Sequence, residues 1–448
     1  MSAQPIISVS GLRGVVGESL TPEVVVRYAA AFAAAAPPGA ILVSRDGRGS
    51  GRLIAELVHA ALAAMGRPTA DLGVQATPTV GVAVRQFEAA GAIQITASHN
   101  PLPYNGLKLF SPQGRVLPQN AGQAVLATYR AGRFEWAAYD RIGPRQAIAD
   151  PARGHLEAVL ELVDVDRIYR RGFRVLLDAN HGAGAVLGRR LLEELGCELI
   201  IRGEQPDGQF EHPPEPTAEN LADVPRAVVE AEADVGFCQD PDADRLALID
   251  HGGRYIGEEY TVALCAEHIL SQRRGPIVIN TATSRMNEDI ARRHGVPIHR
   301  APVGEANVVD AMLEHEAIFG GEGNGGPIDP RVGLVRDSFV GMALVLDAMT
   351  RRDLPLAALA DELPRYEIVK TKYPLPAERV GPAIEALIKL FPEAQIDRRD
   401  GLRLQWPDRW LLLRASNTEP IVRAIAEAPT AAEAQALCDR AAQVLAAT

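Results

Sequence analysis

Apolar and polar positions along this chain follow two alternating periods. Short apolar runs, Ile41-Leu42-Val43, Ala92-Ile93-Gln94-Ile95, Val175-Leu176-Leu177 and Ile277-Val278-Ile279, are too brief for helices and read as buried strands. Between them lie longer segments with helical spacing, over residues 53–65, 185–195 and about 286–294. Thr21 and Pro22 precede an Ala-rich run that stops at Pro37-Pro38. That order predicts a helix capped by Thr21 with proline at its first position. Strand and helix alternate over most of the length, which predicts α/β layers.

Three segments echo one another: Ile95-Thr96-Ala97-Ser98, Leu177-Asp178-Ala179-Asn180 and Ile279-Asn280-Thr281-Ala282. Each is an apolar strand ending in a small polar loop, and the echo predicts three related α/β domains. The last stretch differs. Leu402-Arg403-Leu404-Gln405-Trp406 alternates as a half-buried strand does, and residues 410–413 and 421–425 also read as strands. Thr430-Ala431-Ala432-Glu433 is a capping box opening a terminal helix. The division expected is 1–151, 152–252 and 253–364 as α/β domains, with 365–448 as a smaller α+β unit.

Composition adds bounds. A chain of 448 residues has room for about three or four domains. Its formal charge of −11 argues against a general nucleic-acid binder, while leaving room for a local basic cleft. Cys197, Cys238, Cys265 and Cys438 form no CxxC pair, so neither a zinc nor a redox motif is indicated, and reduced thiols in a cytoplasmic protein are the simplest reading. The first residues lack the basic start of a signal peptide, and no run reaches the length of a membrane span. No membrane or nucleic-acid partner is therefore expected.

Candidate chemistry concentrates in a few loops. In Thr96-Ala97-Ser98-His99-Asn100-Pro101 a serine follows a buried strand and precedes the turn Asn105-Gly106 and Lys108. A serine so placed can carry a phosphoryl group and hand it on. His99 either takes part or serves its own loop. In Asp240-Pro241-Asp242-Ala243-Asp244-Arg245 three carboxylates can converge on a hard cation such as Mg²⁺ or Ca²⁺. An EF-hand would need Gly where Arg245 stands and Glu where His251 stands; a solvated acidic turn is the remaining alternative. Arg245 beside three anions suits a phosphate that shares the metal.

Residues 320–326 hold five glycines, with Glu322 and Asn324 as the functional side chains. A carboxylate and an amide suit sugar hydroxyls; a flexible loop is the alternative. The spacing is not that of a dinucleotide fingerprint, and Pro327 follows rather than a helix. Arg414-Ala415-Ser416-Asn417-Thr418-Glu419-Pro420, with Arg423 beyond, joins two expected strands and offers a phosphate clamp or an ordinary hairpin loop. Ser10-Gly11-Leu12-Arg13-Gly14 and Arg45-Asp46-Gly47-Arg48 carry weaker signals, in which surface arginines are the competing reading.

Taken together, the TASHNP, DPDADR, GGEGNGG and RASNTEP segments resemble, in order, the loops of the α-D-phosphohexomutase superfamily. That superfamily contains phosphoglucomutases, phosphomannomutases and phosphoglucosamine mutases. The resemblance implies four domains around a central cleft and a phosphoserine enzyme. It makes Ser98 the phosphorylated residue and a metal ligand together with Asp240, Asp242 and Asp244, which hold Mg²⁺. It places Arg13, Lys108, Arg245 and His99 around the transferring group, with Lys108 as a proton shuttle of depressed pKa. Glu322 and Asn324 would meet the sugar, and Arg414, Ser416, Asn417, Thr418 and Arg423 the distal phosphate. A hexose or hexosamine phosphate would pass through a 1,6-bisphosphate, and glucose 1,6-bisphosphate or a similar compound would charge Ser98. The protein would be a monomer or homodimer.

The chain departs from the superfamily pattern at Gly326 and Glu305, where other members carry histidine, and at Asn324, where serine is usual. The loop and the Val303-Gly304-Glu305-Ala306-Asn307-Val308 segment resemble the archaeal-type phosphoglucosamine mutase branch. That resemblance points to glucosamine phosphate, with Glu305 as a possible partner of the sugar ammonium. A broad phosphomannomutase/phosphoglucomutase, a non-catalytic phosphosugar binder and a Mg²⁺-dependent phosphatase are the competing readings.

Overall fold

The computed structural model describes residues 4–8, 11–415 and 421–447. Its first three sheets are built on one plan. In the first, Ile41–Arg45 lies between Thr69–Val74 and Gly91–Ile95, all parallel, and Tyr104–Phe110 returns antiparallel along Gly91–Ile95. Gly11–Val15 and Ile6–Ser8 extend this sheet at one edge and Arg145–Ala147 at the other. In the second, Arg174–Asp178 lies between Glu198–Arg202 and Val235–Gln239, with Leu246–Asp250 antiparallel. In the third, Ile277–Asn280 lies between Ile298–Ala301 and Phe319–Glu322, with Gly326–Ile328 antiparallel.

Parallel neighbours require a crossover, and helices such as Gly51–Ala64, Gly184–Glu194 and Met286–His294 supply it. The antiparallel fourth strand needs none, so the loop between third and fourth strands is short and free to be shaped by its chemistry. The three related α/β domains expected from the sequence are thus present. The echo that suggested them is correct for two of its three segments. Asp178 and Asn280 end first strands, and each accepts a hydrogen bond from the backbone N–H two residues on, at 3.0 and 2.8 Å. Their counterpart in the first domain is Asp46, which holds Arg48 N at 2.9 Å. Ile95, by contrast, ends a third strand. A short apolar strand with a polar loop occurs at both places, and the pattern alone does not separate them.

The fourth sheet is antiparallel throughout, in the order Glu367–Pro374, Ile421–Ala428, Trp410–Ala415, Leu402–Gln405 and Gln395–Asp397. Leu411, Leu413, Val422, Ala424 and Ala426 share its buried face in one apolar cluster with residues of the terminal helix Ala431–Ala447. The register then puts Lys372, Arg423 and Arg414 side by side on the other face.

Local signals behave as expected. Thr21 Oγ1 accepts from Val24 N at 3.4 Å, and Pro22–Ala35 is helical. Thr430 Oγ1 accepts from Glu433 N, the cap half of the box; the Glu433 carboxylate accepts from the Thr430 hydroxyl rather than from its backbone N–H. The helix Ser338–Arg352 is buried on every face because other elements surround it. Among the described residues no helix is long and apolar enough to cross a membrane.

Candidate active site

Three of the loops singled out in the sequence occupy the same topological position. Ser98, Asp240-Asp242-Asp244 and Glu322-Asn324 each lie at the end of the third strand of their domain or just beyond it, before the antiparallel fourth. The carboxyl ends of such strands are where α/β folds bind ligands. The loops open on a cleft of about 1180 Å³ lined from all four domains.

The serine loop is held from beneath. Ser98 N donates to Thr96 Oγ1 (2.9 Å), whose hydroxyl donates to Asp46 (2.7 Å). The buried Arg48 guanidinium donates to the carbonyls of Ser98 and Asn100 (2.6 Å each), Pro101 (3.1 Å) and Tyr104 (3.2 Å), with Asp46 as its counter-ion. Arg48 is therefore the brace of this loop rather than a surface arginine. Ser98 and Ala243 sit in the left-handed region at φ 50° and 55°, costing each loop about 1 kcal/mol. The strain falls on the two loops whose side chains meet: Ser98 Oγ donates to Asp240 Oδ2 at 3.1 Å.

Asp240, Asp242 and Asp244 are buried, with one oxygen of each within 4.8 Å of the others. Asp240 Oδ1 accepts from the backbone N–H groups of Asp244 and Arg245. Asp242 Oδ2 accepts from Thr77 (2.6 Å) and Lys108 (2.9 Å), and Asp244 Oδ2 from Lys108 (2.9 Å) and Arg336 (2.6 Å). The remaining oxygens, Oδ1 of Asp242 and of Asp244, are buried without a hydrogen-bond partner. Leaving two carboxylate oxygens bare in the interior is costly unless something else satisfies them. An all-oxygen set of this kind fits a hard divalent cation. Burial, and then Asp242 and Asp244, push the Asp240 carboxyl well above the ordinary range. Burial would raise Asp244 too, but Arg336, Lys108 and Arg245 hold it far below.

Lys108 corrects one expectation. Burial lowers its pKa, but Asp242, Asp244 and Glu305 outweigh that effect and raise it above the usual value. The ammonium is held charged, not poised to lose its proton. His99 goes the other way. Arg245, burial and Arg13 push it far below its normal value, so the ring is neutral, with Nδ1 3.3 Å from Ser98 Oγ. Arg13 reaches Asn100 (3.1 Å) from the strand Gly11–Val15, and Arg245 donates to Glu215 (3.0 Å). Ser10 lies outside the described residues.

On the glycine-rich loop, Glu322 accepts from Asn280 (2.7 Å) and Gly304 N (2.9 Å) through one oxygen, and from Arg336 (2.8 Å) through the other. The Asn324 amide, oriented to satisfy both its ends, accepts from Arg336 Nη1 (2.8 Å) and donates to the Glu322 carbonyl (3.2 Å). Glu305 opens the helix Glu305–Glu314 and accepts from Arg336 N (3.1 Å). Burial raises its pKa to about 7. Glu305 thus already has a cationic partner in Arg336, whose Nε lies 3.5 Å away.

The distal wall carries the row Lys372, Arg423 and Arg414, with Arg414 oriented by Asp400 (2.8 Å). Ser416, Asn417 and Thr418 lie outside the described residues. Thr77, Arg336, Lys370 and Lys372 were not recognised from sequence, and Arg48 only as a weak signal. The two lysines had a readable signal, since residues two apart on a strand share a face. Arg336 had none.

Glu259 on the cleft wall yields a pH prediction. Burial pushes its carboxyl up to about 8 from an ordinary 4.5, although Ser284 N donates to it at 2.9 Å. A raised folded value means stability that is complete below pH 4.5 and is lost as pH rises through about 8. Glu259→Gln should therefore be more stable than the parent at pH 9, on the order of 1–2 kcal/mol. Near pH 4.5 the gain should vanish, and denaturant melts at the two pH values check this.

Comparison with known proteins agrees with this geometry. Four family models match: Phosphoglucomutase/phosphomannomutase alpha/beta/alpha domain I over residues 5–136, domain II over 153–253, domain III over 258–366, and the C-terminal domain over 372–444. A Thermococcus kodakarensis protein named phosphoglucomutase/phosphomannomutase is 36% identical, with 95% of each chain covered. A Pyrococcus abyssi protein named "Probable phosphoglucosamine mutase" is 32% identical over 96% of each. Among solved structures, a phosphoglucomutase/phosphomannomutase family protein from Burkholderia thailandensis superposes with a TM-score of 0.86 at 28% identity, covering 99% of this chain and 98% of that one.

Proposed function

The chain belongs to the phosphoglucomutase/phosphomannomutase family of isomerases, and from that premise we propose that it interconverts 6-phospho and 1-phospho hexosamines through phosphoserine 98. The observation that carries this reading is the buried contact of Ser98 Oγ with Asp240, beneath a cleft lined by Arg13, Lys108 and Arg245 and, from the fourth domain, by Lys372, Arg414 and Arg423. A sugar hydroxyl attacks the phosphoryl group on Ser98. A new P–O bond forms to the sugar, the bond to Ser98 Oγ breaks, and a 1,6-bisphosphate results. After the bisphosphate turns over, Ser98 Oγ attacks the other phosphate, and the isomeric monophosphate leaves.

Phosphoryl transfer depends on alignment and charge neutralisation more than on covalent help. Lys108, Arg13 and Arg245 provide cations around Ser98. The proton lost by the attacking hydroxyl is needed by the departing serine oxygen, and neutral His99 and charged Lys108 bracket that exchange. Asp240 and the bare oxygens of Asp242 and Asp244 would hold Mg²⁺. Once bound, the ion supplies further neutralisation of the phosphoryl oxygens. The row Lys372, Arg423 and Arg414 offers donors to the distal phosphate, and several donors around one anion tolerate either end of the sugar.

The preference for glucosamine phosphate rests on the relatives named phosphoglucosamine mutase. A broader phosphomannomutase/phosphoglucomutase is the second reading, favoured by the engagement of Glu305 with Arg336. A side-by-side assay on glucosamine, glucose and mannose phosphates decides between them. The expected result is kcat/KM at least about tenfold higher for glucosamine phosphate; equal or higher values for glucose or mannose phosphate overturn the preference.

A further inference from the structure

Arg336 lines the cleft, and its guanidinium is where the metal loop and the sugar loop meet. One nitrogen donates to Asp244 Oδ2 (2.6 Å), and the other to Glu322 (2.8 Å) and Asn324 (2.8 Å). Its backbone N–H is held by Glu305 (3.1 Å). The next residue is fixed as well. Asp337 caps the helix Ser338–Arg352, and its other oxygen lies 2.7 Å from His155, whose ring meets Thr79 at 2.9 Å. Buried residues from the preceding domains thereby pin the backbone that presents Arg336.

Gly326 completes the arrangement. A Cβ there would overlap the Arg336 side chain, lying 2.8 Å from Cγ and 2.9 Å from Cβ. Gly326 does not have a left-handed φ, so its backbone does not demand glycine. The space does.

We propose that Arg336 is a positioning residue that orients Glu322 and Asn324 toward the sugar and, with the same guanidinium, moderates the charge of Asp244, Gly326 being bare to admit it. The proposal rests on the reading that Glu322 and Asn324 meet the sugar and that the aspartates hold Mg²⁺. A rigid fork can serve two loops at once where a point charge cannot. A cation on Asp244 also repels a divalent ion bound to the same carboxylate. The two duties therefore predict opposite signs when the guanidinium is removed.

Full-length Arg336→Met, Arg336→Lys and Gly326→Ala are compared with the parent by sugar-phosphate KM and by Mg²⁺ titration calorimetry of the dephosphorylated protein. In Arg336→Met, KM should rise about tenfold or more, while the Mg²⁺ dissociation constant falls about threefold. Gly326→Ala should move both in the same directions, and combining it with Arg336→Met should add nothing. Arg336→Lys should raise KM with Mg²⁺ affinity close to the parent's. A mere brace would weaken both together. Weakened Mg²⁺ binding in folded Arg336→Met, or values within about twofold of the parent in Gly326→Ala, overturns the proposal. If Arg336→Met does not fold, the lysine and alanine variants decide. A parent that turns over no hexose phosphate would fail the underlying reading instead, and the calorimetry would still report on Asp244.

Discussion

Replacing Ser98 with alanine should end phosphate uptake and lower turnover by at least about three orders of magnitude, or roughly 4 kcal/mol of barrier. The loop does not depend on the hydroxyl. Its shape is fixed by Arg48 through four carbonyls and by Thr96 through the Ser98 N–H. The hydroxyl itself reaches Asp240 and His99. Alanine therefore keeps the strained backbone and loses only the acceptor, so the melting temperature should change little. Intact mass after incubation with glucose 1,6-bisphosphate reads the outcome directly. The parent gains one phosphoryl group and the variant none. An alanine variant that took up phosphate and turned over like the parent would remove the serine from the reaction.

Much of this site is legible along the chain because its causes are local. Thr21 before Pro22, and Thr430 three residues before Glu433, announce helix starts through bonds made within one turn. Three aspartates alternating with small or rigid residues announce a convergent set for the same reason. What joins the loops is not local. Thr77 meets Asp242 across 165 positions and Arg336 meets Asp244 across 92. A threonine at a helix start and an arginine before an N-cap aspartate look ordinary in sequence. Lys108 shows the same limit in its electrostatics. Neighbouring cations suggested a depressed pKa, but the fold brings three carboxylates to the ammonium and reverses the sign. The echo among strand ends misplaced Ile95 because first and third strands are both short apolar runs followed by a polar loop.

That topology explains why one fold repeated three times makes a single site. The third-strand loop is released from crossover duty, and in each domain it carries a different function: a serine, a set of carboxylates, a carboxylate with an amide. Asp46 and Asn280, ending first strands, reach across to support it, through Thr96 in one domain and Glu322 in another. The fourth sheet supplies what these lack, a row of cations on a face its own core does not need.

Substituting Asp242 with asparagine should separate stability from activity. Its Oδ2 accepts from Thr77 and Lys108, bonds that an amide oxygen can keep, while Oδ1 is one of the bare oxygens. The amide nitrogen would stand in that place and present a donor where a cation has to bind. Turnover should fall by about three orders of magnitude or more. Folding should not suffer. Asp240 is pushed up by burial and then by Asp242 and Asp244, so removing one of these charges relieves repulsion in the interior. Lys108 retains Asp244 as a partner. Without added metal the variant should melt no lower than the parent. Addition of Mg²⁺ should raise the parent's melting temperature by mass action and leave the variant's unmoved. A variant that kept the Mg²⁺-dependent rise would show that the ion is held elsewhere.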